Sequence, residues 1–438
     1  ASDRPHDDPA RPAGQRRQKA PPMSWEPGPR PLWVQHAIDG EGGPMYAQAS
    51  RPLVVAELLA ESRMRAGADD FGGDDFLEPL GIFVRSVEEE AHLHIVGRWR
   101  VREVILRSLE NRLRIAACVS GDPGVVDEQV VAPVIVTGSP RAGTSVMHEL
   151  LALIPGTRAP LAWEYWWPAP PPVPGDDDDP RIPLADRDVR LSAALNPSFD
   201  GMHTQGARVP REDPSAMLMS FRSDVLAAHY PTPSYGRWLA TCDMRPAYDF
   251  HRLVLQLLQR DHPARTWVLK APGHLANLEL VLQMYPDARV VVCHRDPLAM
   301  ISSVTSLTAT LRFGHAETVD FKGLARENME QFGRNLDTVL ALRVNGLLTD
   351  EQVVDVRFDR FIADQAGVVR RIAEHFGISV AGAELEDAVR AHLALKPTAT
   401  SGGHQHSVSD LGIDIDAEGQ RFRPYMQHFG IPVEADRN

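Results

Sequence analysis

Apolar residues fall three and four apart from Leu53 to about Leu113, through VVAELLAESR and FVRSVEEEAHLHIVGRWRVREVILRSLENRL, and this spacing predicts amphipathic helices. The pattern changes at Pro133. PVIVT is a short run of β-branched residues, followed at once by a glycine-bearing turn and by SVMHELLALI, where helical spacing returns. The alternation recurs downstream: TWVLK predicts a strand, HLANLELVLQMY a helix, ARVVVC a strand and PLAMISSVTSLTATL a helix. Strands alternating with helices of this length imply βαβ crossovers, so the expected fold class is α/β, with a central parallel sheet flanked by helices in three layers. A mostly helical N-terminal region precedes it. Residues 1–22 are polar, Pro-rich and mixed in charge, and predict a flexible arm. The chain thus divides into an arm over 1–22, a helical region over 23–125 and an α/β domain over 126–438. WEYWWPAPPPVPGDDDDP is too irregular for a core element and predicts an extended loop over a site.

Of the 438 residues 43% are hydrophobic, enough for a sizeable core in one large α/β domain or two. The formal net charge is −13 and the body of the chain has no concentrated basic stretch, which argues against nucleic acid as a partner. An anion must therefore be met by local groups. The three cysteines, Cys118, Cys242 and Cys293, lie far apart and in no CxxC spacing, so free thiols and a cytoplasmic location are expected. The longest apolar runs, such as Val130 to Val136, fall far short of the roughly 20 residues that span a bilayer, and neither export nor an integral membrane segment is expected. No sequence feature speaks to oligomeric state.

Gly138-Ser139-Pro140-Arg141-Ala142-Gly143-Thr144-Ser145 connects a predicted strand to a predicted helix, where free backbone N–H groups and the helix dipole converge on anions. Its two glycines have the spacing of GxxxxGK[ST], but Thr144 stands where that motif has lysine. A nucleotide triphosphatase uses that lysine on the β- and γ-phosphates, so ATP hydrolysis is disfavoured. The only cation in the loop is Arg141, which suits a terminal anion held by backbone N–H groups and hydroxyls without a metal.

PRAGTS after a hydrophobic strand resembles the PRSGTT or PKSGTT loop of sulfotransferases that use 3'-phosphoadenosine 5'-phosphosulfate (PAPS), in particular their bacterial branch. The resemblance implies a P-loop-like fold, PAPS as co-substrate and its bisphosphate PAP as product. It assigns Arg141, Ala142, Gly143, Thr144 and Ser145 to the 5'-phosphosulfate, with Ala142 replacing the usual Ser. VVVCHRDPLAMISSV resembles the family's strand-R-[DN]-P element, which implies that Arg295 and Ser303, eight residues apart, bind the 3'-phosphate. WVLKAPGHLANLELVLQMYPDARVVVCHRDP is similar over its length to the bacterial WxLKxPxHL…PDAR…HRDP block, and HQHSVSDLGID with FRPYMQHFGI resembles that branch's endings, His406 replacing the usual Tyr. Together these motifs cover about residues 133–431.

Sulfuryl transfer requires an in-line acceptor oxygen, a base for its proton and positive charge at the leaving phosphate. Lys270 ends a predicted strand at the rim where open α/β sheets bind ligands, and resembles the family lysine near the bridging oxygen. Glu164, among the aromatic residues Trp163, Tyr165, Trp166 and Trp167, is the first choice for base, with His274 the alternative. His203, Glu212 and Asp213 are expected to shape the acceptor pocket or to pair with Arg208 or Arg211, and Asp176 to Asp179 to be a solvated charged loop. His404 and His406 are a close pair with no further ligands nearby, so no metal is expected. Trp and Pro residues near Glu164, with Tyr230, Tyr235 and Trp238, point to a small lipophilic or aromatic hydroxyl acceptor. The rival readings are a nucleotide-dependent kinase and a non-catalytic nucleotide-binding relative.

Overall fold

Central strands of a parallel sheet are covered on both faces and therefore read as continuous apolar runs. The three strands expected on that ground are present in the computed structural model, which describes residues 25–41, 43–200, 205–262, 265–380, 382–395 and 407–434. The 1–22 arm, His203, His404 and His406 lie outside the described residues. The sheet comprises β1 (Val134–Gly138), β2 (Thr157–Arg158), β3 (Thr266–Lys270), β4 (Arg289–His294) and β5 (Val353–Arg357), all parallel, in the order β2-β3-β1-β4-β5. The two edge strands were not anticipated. One has two residues, and β5 has half-covered positions that break its apolar run.

Helices α1 (Val55–Ala66), α2 (Leu77–Glu90) and α3 (Ile95–Gly121) form the N-terminal region. The long helical run expected to continue from α2 through α3 is interrupted. His92 takes φ 42°, Leu93 bridges Ala316, and His94 caps α3 by accepting from Gly97 N at 3.1 Å. A Cβ at Gly97 would lie 2.0 Å from the His315 carbonyl oxygen, so α3 docks at this point only because the side chain is absent.

The N-terminal helices have no core of their own. Leu58, Phe83, Ile105 and Leu109 share one apolar cluster with Leu218, Phe221 and Tyr235, while Ile115 and Val125 join Ile135 and Leu269 of the sheet. The boundary near residue 126 is thus a change of secondary structure inside continuous packing. The remaining elements that position the site are α4 (Thr144–Leu151), α5 (Ala162–Trp166), α6 (Arg181–Leu195), α7 (Arg245–Gln259) and α8 (Pro297–Phe313). Pro297 opens α8 at the position where a missing N–H costs nothing, and Asp296 caps it by accepting from Leu298 N at 3.1 Å.

Candidate active site

The chain leaves β1 toward β2 and β3 and leaves β4 toward β5, so a crevice opens between the C-terminal ends of β1 and β4. The Gly138–Ser145 loop lies at this switch point. Gly138 has φ 131° and a Cβ there would meet Cys293 O at 2.3 Å, so neither the conformation nor the space admits a side chain. Arg141 and Gly143 also have positive φ, 67° and 86°, and these turns curl the loop around the N-terminus of α4. Ser139 Oγ is buried there without a hydrogen-bond partner, an orphaned polar atom of the kind a bound anion satisfies.

The structure brings together the two anion-binding clusters expected from sequence. Arg141 Nε donates to Ser303 Oγ at 3.2 Å, and Arg295 Nη1 donates to the Arg141 carbonyl at 2.9 Å. Arg295 also lies over the Phe358 ring at 4.4 Å. Burial first, and the Arg295 charge second, hold the Arg141 guanidinium below its ordinary value. Glu434, which sequence reading did not single out, pairs with Arg295 through Nε at 2.7 Å and Nη2 at 2.8 Å.

Lys270 ends β3, and its register partner Val136 puts it one strand away from the loop. Its buried Nζ donates to Ser145 Oγ at 3.1 Å and forms an ion pair with Glu212, whose side chain is 30% exposed. Of the two expectations for Glu212 and Asp213, direct ion pairing with Arg208 or Arg211 is absent among the described residues, although the Glu212 charge acts on Arg211. Arg208 meets Asp177, and Arg211 Nε donates to Ser215 Oγ at 3.1 Å. Asp213, fully buried, accepts from Tyr165 OH at 2.7 Å, meets His274 Nε2 at 2.8 Å and lies 3.4 Å from His251 Nε2. Burial pushes this carboxyl up, but His251 and His274 outweigh it and hold it well below the usual carboxylate range. Asp224, also missed, faces Gly273, Lys270 and Glu212; burial first and Glu212 second push its carboxyl up to about 6.

Both candidate bases from sequence are committed elsewhere. Glu164 is buried, but one oxygen is ion-paired with Arg158 and the other accepts from Leu161 N at 2.8 Å, satisfying the backbone N–H that precedes α5. Trp163 and Trp166 pack around it, and Arg158, six residues earlier at the end of β2, takes the charge. His274 is buried with its second ring nitrogen 2.7 Å from Tyr248 OH, so both nitrogens are engaged. Tyr230 and Tyr235 are core residues packed on Phe83, not pocket lining. Within Asp176 to Asp179 the last residue departs from a solvated loop: Asp179 is buried against Arg181, whose Nε donates at 2.8 Å. Among the described residues no group of three or more His, Cys, Asp or Glu is placed to hold a metal, and no helix is long and apolar enough to cross a membrane.

A parallel sheet with a P-loop-like turn at its switch point, two arginines on one side and a lysine on the other, defines an α/β protein built to hold a polyanionic ligand along the strand ends. Comparison with known proteins narrows this class. Residues 133–382 match the model of the sulfotransferase family, and the chain belongs to that family. It is similar to the crystal structures of sulfotransferase STF1 from Mycobacterium tuberculosis, with 30% identity, TM-score 0.74 and coverage of 85% of this chain and 99% of that one. Sulfotransferase STF9 from Mycobacterium avium gives 28% identity and TM-score 0.78 over 87% of this chain and 98% of that one. Among curated proteins, omega-hydroxy-beta-dihydromenaquinone-9 sulfotransferase Stf3 from Mycobacterium bovis is 24% identical over 283 residues, a match spanning 60% of this chain and 65% of the relative.

Proposed function

We propose that the protein transfers a sulfuryl group from PAPS to a hydroxyl of a small acceptor. The observation that carries this reading is the contact of Arg141 with Ser303 and of Arg295 with the Arg141 carbonyl, which joins two separate sets of anion-binding groups at the C-terminal rim of the sheet. When bound, PAPS supplies an activated sulfuryl group on a nucleotide bisphosphate leaving group. The loop N–H groups from Arg141 to Ser145 and the unpartnered Ser139 hydroxyl would hold the 5' end, and Arg295 with Ser303 the 3' end. Lys270, held at the loop by Ser145, puts positive charge where the leaving oxygen gains negative charge.

Glu212 replaces Glu164 and His274 as the base in this reading, because its carboxylate is the one that touches Lys270 and stays partly open to an incoming hydroxyl. Glu164, through Arg158 and the Leu161 N–H that precedes α5, positions the aromatic segment. The acceptor is a lipophilic or aromatic hydroxyl compound; the hydroxylated menaquinone in the name of the Stf3 relative agrees with that class. The free cysteines Cys118, Cys242 and Cys293 support a cytoplasmic site of action. A kinase reading lacks support, since Thr144 stands in place of the phosphate-binding lysine.

Calorimetry with PAP against ATP and magnesium tests the co-substrate: PAP binds and ATP does not. For the base, Glu212→Gln lowers kcat by roughly 100-fold or more with PAP affinity retained, while Glu164→Gln lowers thermal stability and leaves kcat within a fewfold. The opposite pattern returns the base to Glu164.

A further inference from the structure

Next to Glu212 in the chain, Arg211 belongs to a cationic cluster. Arg211 stacks on Trp166 with its guanidinium carbon 5.0 Å from the ring centroid, and Arg107 of α3 lies over Trp166 at 5.7 Å and Trp167 at 5.2 Å. Arg100, two turns earlier on the same face of α3, joins Arg107 on the single carboxylate of Asp188 in α6, at 3.4 Å from its own Nη2. Arg100 and Arg107 thus share the carboxylate of Asp188, while the Glu212 charge, which acts on Arg211, is already ion-paired with Lys270, so four cations share two carboxylates. The Nε of Arg211 is held by Ser215, and among the described residues no carboxylate lies within ion-pairing distance of its terminal nitrogens, although the residue remains partly open to solvent. The field is felt nearby: burial, then His315, Arg211 and Arg100, hold the His229 imidazole well below its ordinary range.

A structural cluster of this kind would be expected to neutralise itself, since an uncompensated buried cation is costly. Here the surplus guanidinium is the one adjacent in sequence to the proposed base, stacked on the aromatic segment, with a planar fork of donors suited to carboxylate or phosphate. We propose that the acceptor carries, besides its hydroxyl, an anionic group received by Arg211, with Arg107 and Arg100 supplying the supporting positive field. The inference rests on the sulfotransferase reading for the position of the hydroxyl but not for the anion site itself. An acidic lipid or an acidic phenol satisfies both the apolar and the cationic walls.

The test compares matched acids and esters. Calorimetry on PAP-loaded protein measures 3-(4-hydroxyphenyl)propanoate and 12-hydroxydodecanoate, each against its methyl ester, at pH 7.5. At least one acid binds tighter than its ester by about 10- to 100-fold, the scale of a charge-assisted hydrogen-bonded contact. Arg211→Met keeps the apolar stem over Trp166 and brings the ratio within about twofold, with PAP affinity as the check on folding. Equal binding of acid and ester in the unmodified protein, absence of binding by both acids, or a preference that survives Arg211→Met each overturns the proposal. Failure of PAP to bind is instead a failure of the co-substrate reading, and the acid and ester comparison on nucleotide-free protein then still decides the anion site.

Discussion

Arg295 presents one edge of its guanidinium to Glu434, so the residue assigned to the 3'-phosphate already holds an anion. On this geometry the carboxylate competes with the nucleotide, and Glu434→Gln should tighten PAP binding. An exposed ion pair contributes about 0–1 kcal/mol and a charge-assisted hydrogen bond about 1.5–3 kcal/mol. With side chains 16% and 24% exposed, the pair falls between these limits. Losing it on nucleotide binding costs about 1–2 kcal/mol, which predicts a 5- to 30-fold gain in PAP affinity for Glu434→Gln, on the order of the 1.4 kcal/mol per tenfold conversion. Glutamine keeps the size and one acceptor oxygen, so the segment around Glu434, whose own N–H donates to Asp296 Oδ2 at 2.9 Å, stays docked. Calorimetric titration of PAP into the parent, Glu434→Gln, Arg295→Ala and the double variant completes a cycle. Arg295→Ala weakens PAP, and the gain from Glu434→Gln vanishes without Arg295. Weaker PAP binding by Glu434→Gln alone, or a gain that persists in the Arg295→Ala background, refutes competition and makes Glu434 a clamp that orients the arginine.

Asp213→Asn removes the charge and replaces one of the two oxygens shared by His251, His274 and Tyr165 with a donor, and breaking a buried pair of this kind costs about 3–5 kcal/mol, seen as a lower Tm in scanning calorimetry. Because the folded Asp213 carboxyl is held well below its unfolded value of about 3.9, its contribution is present above that pH and lost as pH falls further; urea melts from pH 3 to 7 should show the parent and variant converging only at the acid end. Asp224 has the opposite sign: its carboxyl is pushed up to about 6, so the fold loses stability as pH rises from about 4 toward 6. Asp224→Asn is therefore more stable than the parent at pH 7.5 by about 1–2 kcal/mol and equal to it near pH 4, and a gain independent of pH in urea unfolding counts against the assignment.

The sequence made legible what is local. β1, β3 and β4 announce themselves because both faces are buried, and the anion loop because its glycines must fall at fixed steps between strand and helix. Arg295 and Ser303 were readable since a strand end and two helical turns fix their relation. Partners set by tertiary approach were not. Lys270 and its partner Glu212 are 58 residues apart, and Arg295 and Glu434 are 139 apart, with no periodicity linking either pair. The aromatic string around Glu164 correctly signalled burial, yet the burial of a carboxylate does not reveal whether a cation waits beside it. Arg158 does, and on the proposed reading Glu164 is therefore a brace and Glu212 the proton acceptor.

The same contrast separates the two halves of the site. The groups proposed to hold the nucleotide come from strand ends, the turns that follow them and, for Ser303, the helix beyond, all within the residues 133–382 that match the family model. A constant co-substrate can be met by such short local devices, because its anions always present the same chemistry. The proposed anion site for the acceptor draws instead on α3, α6 and the chain around Arg211, and Arg100 and Arg107 lie outside the matched span. These elements are held by long-range packing: α3 is fixed at one end by the close approach of Gly97 to His315 and along its length by the cluster it shares with Leu218 and Phe221. If the proposed anion site receives the acceptor, its selectivity depends on how an N-terminal helix is docked, and substitutions at that interface, remote from the reacting atoms, should alter acceptor preference while leaving nucleotide affinity in place.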